Sequence, residues 1–174
     1  KNDEEDDGKK KLTSVKDSVR TLGICRKINK TLTQKQKVVV LTKLLELVNV
    51  DKNFSPQRKE IINTVSTVFN IVEEEYKLIE SFATSDSKET LGFKDILVVD
   101  ESDQAPEGTI YHHIHGHVDG LLTFMRVSSV DMYFTRYIGN ETNMLNGFPM
   151  SPGRIYLFSP GSTIKTQAGN AIYY

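Results

Sequence analysis

The sequence predicts an α+β protein in which an N-terminal bundle of about four helices precedes a small all-β sandwich. Three observations carry that prediction. Through residue 84 apolar side chains recur every three or four positions, and beyond residue 90 the period falls to two. Most of the 11 glycines and four of the five prolines lie in that second half, where they punctuate short β-branched and aromatic segments. Between the halves, the polar run Thr84-Ser85-Asp86-Ser87-Lys88-Glu89-Thr90 reads as a connection. The expected organisation is a disordered charged lead-in at 1–11, a helical unit at 12–84, a linker at 85–95 and a β unit at 96–174.

Residues 1–11 contain no apolar side chain that could anchor them. From there Val15, Val19, Leu22, Cys25, Ile28 and Leu32 mark the inner face of a first helix of about five turns. Lys16, Arg20, Arg26, Lys27 and Lys30 gather on the opposite arc, and residues 9–43 hold eleven basic residues against the single acid Asp17. Thr33-Gln34-Lys35-Gln36 fits a capping box, in which the threonine hydroxyl accepts from a backbone N–H and the glutamine reaches back. The second helix should run from about Gln34 to Val50. Its apolar residues, Val38, Val39, Leu41, Leu44, Leu45, Leu47 and Val48, cover enough of the circumference to make it central to the bundle. Ser55-Pro56 supplies an N-cap and a first-turn proline for a third helix carried by Ile61, Ile62, Val65, Val68 and Phe69. Glu73-Glu74-Glu75 opens a fourth, where three acids suit the helix dipole and Tyr76, Ile79, Phe82 and Ala83 face inward. The β unit should place strands at 96–100, 109–114, 121–127, 132–138, 154–158, 163–165 and 171–174, with Asn146-Gly147 as a tight turn.

Charge and composition exclude several classes. Lys plus Arg number 16 against 14 Asp plus Glu in residues 1–87, and 6 against 9 in residues 88–174, so neither half is charged enough to name a partner. Basic residues without interleaved aromatics argue against a single-strand nucleic-acid groove, and nucleic acid is not an expected partner. Lys16, Arg20, Lys27 and Lys30 could instead meet an anionic membrane, or form a solvated helix face. No apolar run reaches the roughly 18 residues of a membrane span, and the lone Cys25 suits a reducing compartment. The expected location is the cytoplasm, including the cytoplasmic side of a membrane. A chain closing on Ile172-Tyr173-Tyr174, a strand-like segment with no polar tail, reads as part of a longer polypeptide.

Two stretches carry family resemblances. Val50-Asp51-Lys52-Asn53-Phe54-Ser55-Pro56, an acidic loop from which a Ser-Pro pair restarts a helix, resembles the corresponding loop of tellurite-resistance TerB-like helical domains. That resemblance implies a cation site near Asp51 and Glu60, but Lys52 stands in place of the family's glycine and Arg58 and Lys59 crowd the acids, so Asp51 suits a helix-ending turn better than a ligand. The order Gly139 to Asn146-Gly147, then Tyr156-Leu157-Phe158, then Gly161-Ser162-Thr163-Ile164 resembles the closing third of forkhead-associated domains. In that family an arginine and a serine of earlier loops read phosphothreonine. Arg126, Ser128 and Ser129 are the nearby types here, but the family's Ser-x-x-His has no counterpart, since Met132 and Tyr133 occupy that neighbourhood. The order of a helical unit followed by a forkhead-like unit resembles the region before the nucleotide-binding domain of certain bacterial ATP-binding cassette transporter-like proteins. No Walker A loop occurs in these residues.

All four histidines fall at 112–117. One reading is a metal-binding sensor or metal-dependent hydrolase built on His113, His115 and His117 with Asp119, since imidazole is a common ligand for zinc and iron. The run is similar to the His-x-His-x-Asp-His motif of metallo-β-lactamase-like hydrolases but has His117 where the aspartate belongs. If Ile110, Ile114 and Val118 point inward, His113, His115 and His117 share the outer face, and the outer two lie roughly 13 Å apart on a regular strand. One ion cannot then take all three. The expectation is therefore no catalytic, cofactor or metal residues, and a non-catalytic regulatory or interaction module that docks on a protein partner or a neighbouring domain.

Overall fold

In a computed structural model, which describes residues 2–50 and 55–174, four helices precede nine short strands. Helix α1 is Asn2–Thr31, α2 Gln34–Val50, α3 Pro56–Val68 and α4 Glu73–Thr84. The start signals act as their chemistry requires. The Thr33 N–H donates to Gln36 Oε1 at 2.9 Å and the Gln36 N–H to Thr33 Oγ1 at 3.3 Å, closing the capping box of α2. The Ser55 hydroxyl accepts from the Arg58 N–H at 3.3 Å, with Pro56 in the first turn of α3.

Two findings alter the expected helical unit. Helix α1 begins at Asn2, so the segment expected as a disordered lead-in is helical. Its sequence explains this, since acids at positions 3–7 precede lysines at 9–11 by about one turn, the orientation that supports a helix. Second, Val15 and Val19, expected on the inner face, are 58% and 64% exposed. Helix α1 packs on α3, and α3 spans only about 20 Å against about 45 Å for α1. Among the described residues of α1, Cys25 and, partly, Ile28 join the helix-side core.

The strands are β1 Ile96–Asp100, β2 His112–His115, β3 Leu121–Val127, β4 Met132–Ile138, β5 Met144–Leu145, β6 Phe148–Pro149, β7 Ile155–Phe158, β8 Thr163–Lys165 and β9 Ala171–Tyr173. One sheet has the order β2-β1-β3-β4-β7, the other β6-β5-β8-β9. Among the described residues only β1 with β2 is parallel. The β5–β6 hairpin turns on Asn146 and Gly147, both at positive φ (52° and 85°), as the primed hairpin turn demands.

The five-stranded sheet is the middle of three layers. Ile96, Val98, Leu121, Met125, Val127, Phe134 and Ile155 join the helices in one core with Val38, Leu41, Leu45, Phe69, Ile79 and Phe82. From the opposite face Val99, Leu122, Phe124, Tyr137 and Phe158 join Leu145 and Ile164 of the smaller sheet in a second core. A sheet buried on both faces explains why β3 reads as a nearly continuous apolar run, with only Arg126 exposed.

The helices and the sheet are also tied by buried charge. Arg136, 2% exposed, donates to the carbonyls of Phe82 (3.2 Å), Ser85 (2.6 Å) and Gly153 (3.0 Å) and to Asp86 Oδ1 (3.0 Å). A cation against the last carbonyls of α4 is favoured by the helix dipole. Glu46 of α2, 3% exposed, accepts from Lys43 (2.6 Å), from Arg154 (2.9 Å) and from the Ile155 N–H (3.2 Å). The stretch 85–95 is correspondingly no free linker, since it forms a 3-10 turn at Lys88–Thr90 and buries Leu91 in the helix-side core.

Candidate docking groove

Alternation along each strand decides which side chains reach the space between the sheets. In the register Leu97↔His112 and Val99↔Ile114, the groove-facing residues of β1 stand beside those of β2, while His113 points to the helix side. Leu97 pairs with Phe124 across β1–β3, and Tyr133 with Phe158 across β4–β7. These positions line a groove of about 790 Å³, whose other wall comes from Thr166, Asn170, Ile172, Tyr173 and Tyr174.

An aromatic chain forms part of the lining. Phe124 and Phe158 have ring centroids 5.0 Å apart, and Tyr174 lies 5.6 Å from Phe158 and 5.4 Å from Tyr133, with near-perpendicular edges at the last contact. Ile114 and Tyr173 stand 53% and 72% exposed at the opening. Gly116 closes over Val99 so tightly that a Cβ would lie 2.6 Å from Val99 Cγ1. The groove opens where each sheet has an edge: among the described residues β2 pairs only with β1, and β9 only with β8.

Polar groups sit at the rim. His115 and His117 stack edge to face at 5.6 Å, and His115 Nδ1 lies 3.3 Å from the Ser102 carbonyl. Arg126, at another part of the lining, is held by Asp131 Oδ1 at 2.9 Å.

The structure sets His113 apart from the other histidines. His113 Nε2 is 2.9 Å from Asp100 Oδ1, and both side chains are 8% exposed. Lys88 donates to Asp100 Oδ2 at 2.7 Å and the Ser102 N–H to Oδ1 at 2.9 Å. Burial alone would raise the Asp100 pKa, but the hydrogen bonds from Lys88, His113 and Ser102 outweigh it and hold the carboxyl far below the ordinary carboxylate range. The same pairing raises the Lys88 pKa. The expected common outer face is thus wrong in its particulars. Ile110 and Ile114 are exposed, His113 is covered, and β2 ends before Gly116 and His117. The reason is that β2 is an edge strand whose Ile114 side looks into an open groove, so Tyr111 on the helix side serves as its buried anchor. Asp119 lies beyond, at the corner into β3, where its carbonyl accepts from the Tyr137 hydroxyl at 2.7 Å. Among the described residues, no three His, Cys, Asp or Glu side chains are arranged to hold a metal ion. Asp51, the acid of the candidate cation loop, lies outside the described residues.

The nearby types for phosphothreonine reading are engaged by carboxylates. Ser129 Oγ donates to Glu75 at 2.8 Å, Ser128 Oγ to Asp95 at 3.1 Å, and Arg126 pairs with Asp131. No family model, curated protein or solved structure matches the chain. Among the described residues no helix is long and apolar enough to cross a membrane.

Proposed function

We propose that this chain is a non-catalytic protein-interaction module whose groove docks an extended, apolar polypeptide segment. The observation that carries the reading is the groove itself, an aromatic-lined slot of about 790 Å³ bordered by two strand edges. Such an edge offers backbone donors and acceptors that an added strand can satisfy, and alternate side chains of that strand fall into the slot. A polypeptide suits it better than a small polar metabolite, because the lining supplies many apolar contacts and its cations, such as Arg126, are in part already paired.

The segment belongs to a partner protein or to a neighbouring domain of the same polypeptide. In the arrangement implied by the resemblance to ATP-binding cassette transporter-like proteins, the module is regulatory and cytoplasmic, and its groove takes a strand from the larger assembly. Selection of displayed random peptides on the immobilised protein tests this. Enrichment of sequences with alternating apolar residues, whose binding disappears in Ile114→Lys, supports the reading. Failure to enrich any sequence, or binding indifferent to Ile114→Lys, contradicts it.

A further inference from the structure

We infer that the exposed face of α1 is a docking surface for an anionic lipid membrane, independent of the groove. At 100° per residue, Arg26, Lys30, Lys16, Lys27 and Arg20 occupy one continuous arc of about 120°. All five are exposed, and Cys25, the buried residue of this part of the helix, lies across from them. Among the described residues, none of the five makes an ion pair. The one acid of this part of the helix, Asp17, falls outside the arc.

The same face carries apolar side chains that the fold leaves uncovered: Val19 within the basic arc at 64% exposure, and Val15 and Ile24 at its margins at 58% and 53%. Cations interspersed with aliphatic side chains on a helix that lies along its support is the pattern that meets headgroups and inserts shallowly between them. Bases would stack on aromatics, and none stands on this face, so a nucleic acid fits poorly.

The test is flotation of the whole chain with phosphatidylcholine vesicles, pure or containing about 30 mol% phosphatidylserine. Expected is binding to the serine-lipid vesicles at least about tenfold above the pure ones, released as ionic strength rises. Reversing the arc in K16E/R20E/K27E/K30E should abolish it, whereas K94E/K165E, two reversals in the β layers, should retain it. Should the fourfold variant lose its helical circular dichroism, the pair K27E/K30E decides, with an expected loss of several fold. Val19→Asp, which leaves every cation in place, should weaken binding as well. No binding to either vesicle, equal binding to both, or full binding by the reversed variants would overturn the inference. Capture of polyglutamate by the same face without vesicle binding would overturn it too, in favour of an acidic protein.

Discussion

Arg136 is the residue on which the joining of helices and sheet should depend most. Replacing it with Met keeps a stem of similar reach but removes the guanidinium, and the carbonyls of Phe82, Ser85 and Gly153 then lose their charged donor. Charge-assisted hydrogen bonds contribute about 1.5–3 kcal/mol each, but the sum is not simply additive. Burial of the guanidinium opposes it, as the lowered Arg136 pKa records. Asp86, whose side chain is 70% exposed, adds little. The stranded carbonyls dominate, giving an expected loss of about 4 kcal/mol. With a urea m-value of about 2 kcal/mol/M, the midpoint should fall by about 2 M. Arg136→Lys, which reaches fewer of the acceptors, should lie between. Far-ultraviolet circular dichroism reports mainly the helices and near-ultraviolet signals the β-layer tyrosines, and in the wild type both should give one transition. A loss below about 1 kcal/mol in the Met variant, or two wild-type transitions, would refute the shared-core reasoning.

Asp100→Asn should cost about 2–3 kcal/mol at neutral pH, because it removes the negative charge beside Lys88 and replaces one of the two acceptor oxygens shared by Lys88, His113 and Ser102 with a donor amide. Since the fold depresses the Asp100 pKa, its contribution is complete above the unfolded value of about 4 and is lost as pH falls below it. The stability gap between wild type and variant should therefore shrink between about pH 5 and pH 2, and a constant gap would contradict the assignment. Gly120→Ala should destabilise by about 3 kcal/mol or prevent folding, since Gly120 sits at φ 97° and an added Cβ would come within 2.3 Å of the Ile138 carbonyl oxygen; a calorimetric midpoint unchanged from wild type would show the corner to be pliable. Phosphorylating a threonine in a groove-binding peptide should change its affinity less than about twofold, because a phosphate at Arg126, Ser128 and Ser129 would face Asp131, Asp95 and Glu75. A tenfold gain by calorimetry would restore the phosphopeptide reading.

Signals that act within one turn were legible in the sequence. The capping box at Thr33–Gln36, the Ser55-Pro56 start and the Asn146-Gly147 hairpin each rest on hydrogen bonds or dihedrals set by a few adjacent residues, and β1, β3, β4 and β8 begin and end where alternation predicts. What depends on a distant neighbour was not legible. Val15 and Val19 follow the helical period, yet α3 is too short to cover them. The face of β2 was inverted because Ile114 and His113 can exchange roles when one side of the strand is an open groove and the other holds Asp100. Glu46 and Arg136 carry no local mark of burial, since the Ile155 N–H that binds Glu46 lies 109 residues away and the Phe82, Ser85 and Asp86 groups that bind Arg136 lie 50 to 54 away. The two-residue strands β5 and β6 fall below the length at which alternation can be recognised. The groove follows from the register between strands, which periodicity within a strand does not encode.

The groove's role as a docking slot is tested most directly by nuclear magnetic resonance. A display-selected peptide titrated into the isotopically labelled chain should shift the amides of β2 and β9 and protect β2 amides from exchange, with Ile114→Lys abolishing both effects. Shifts confined to other surfaces, or the same shifts in the Ile114→Lys chain, would contradict the account.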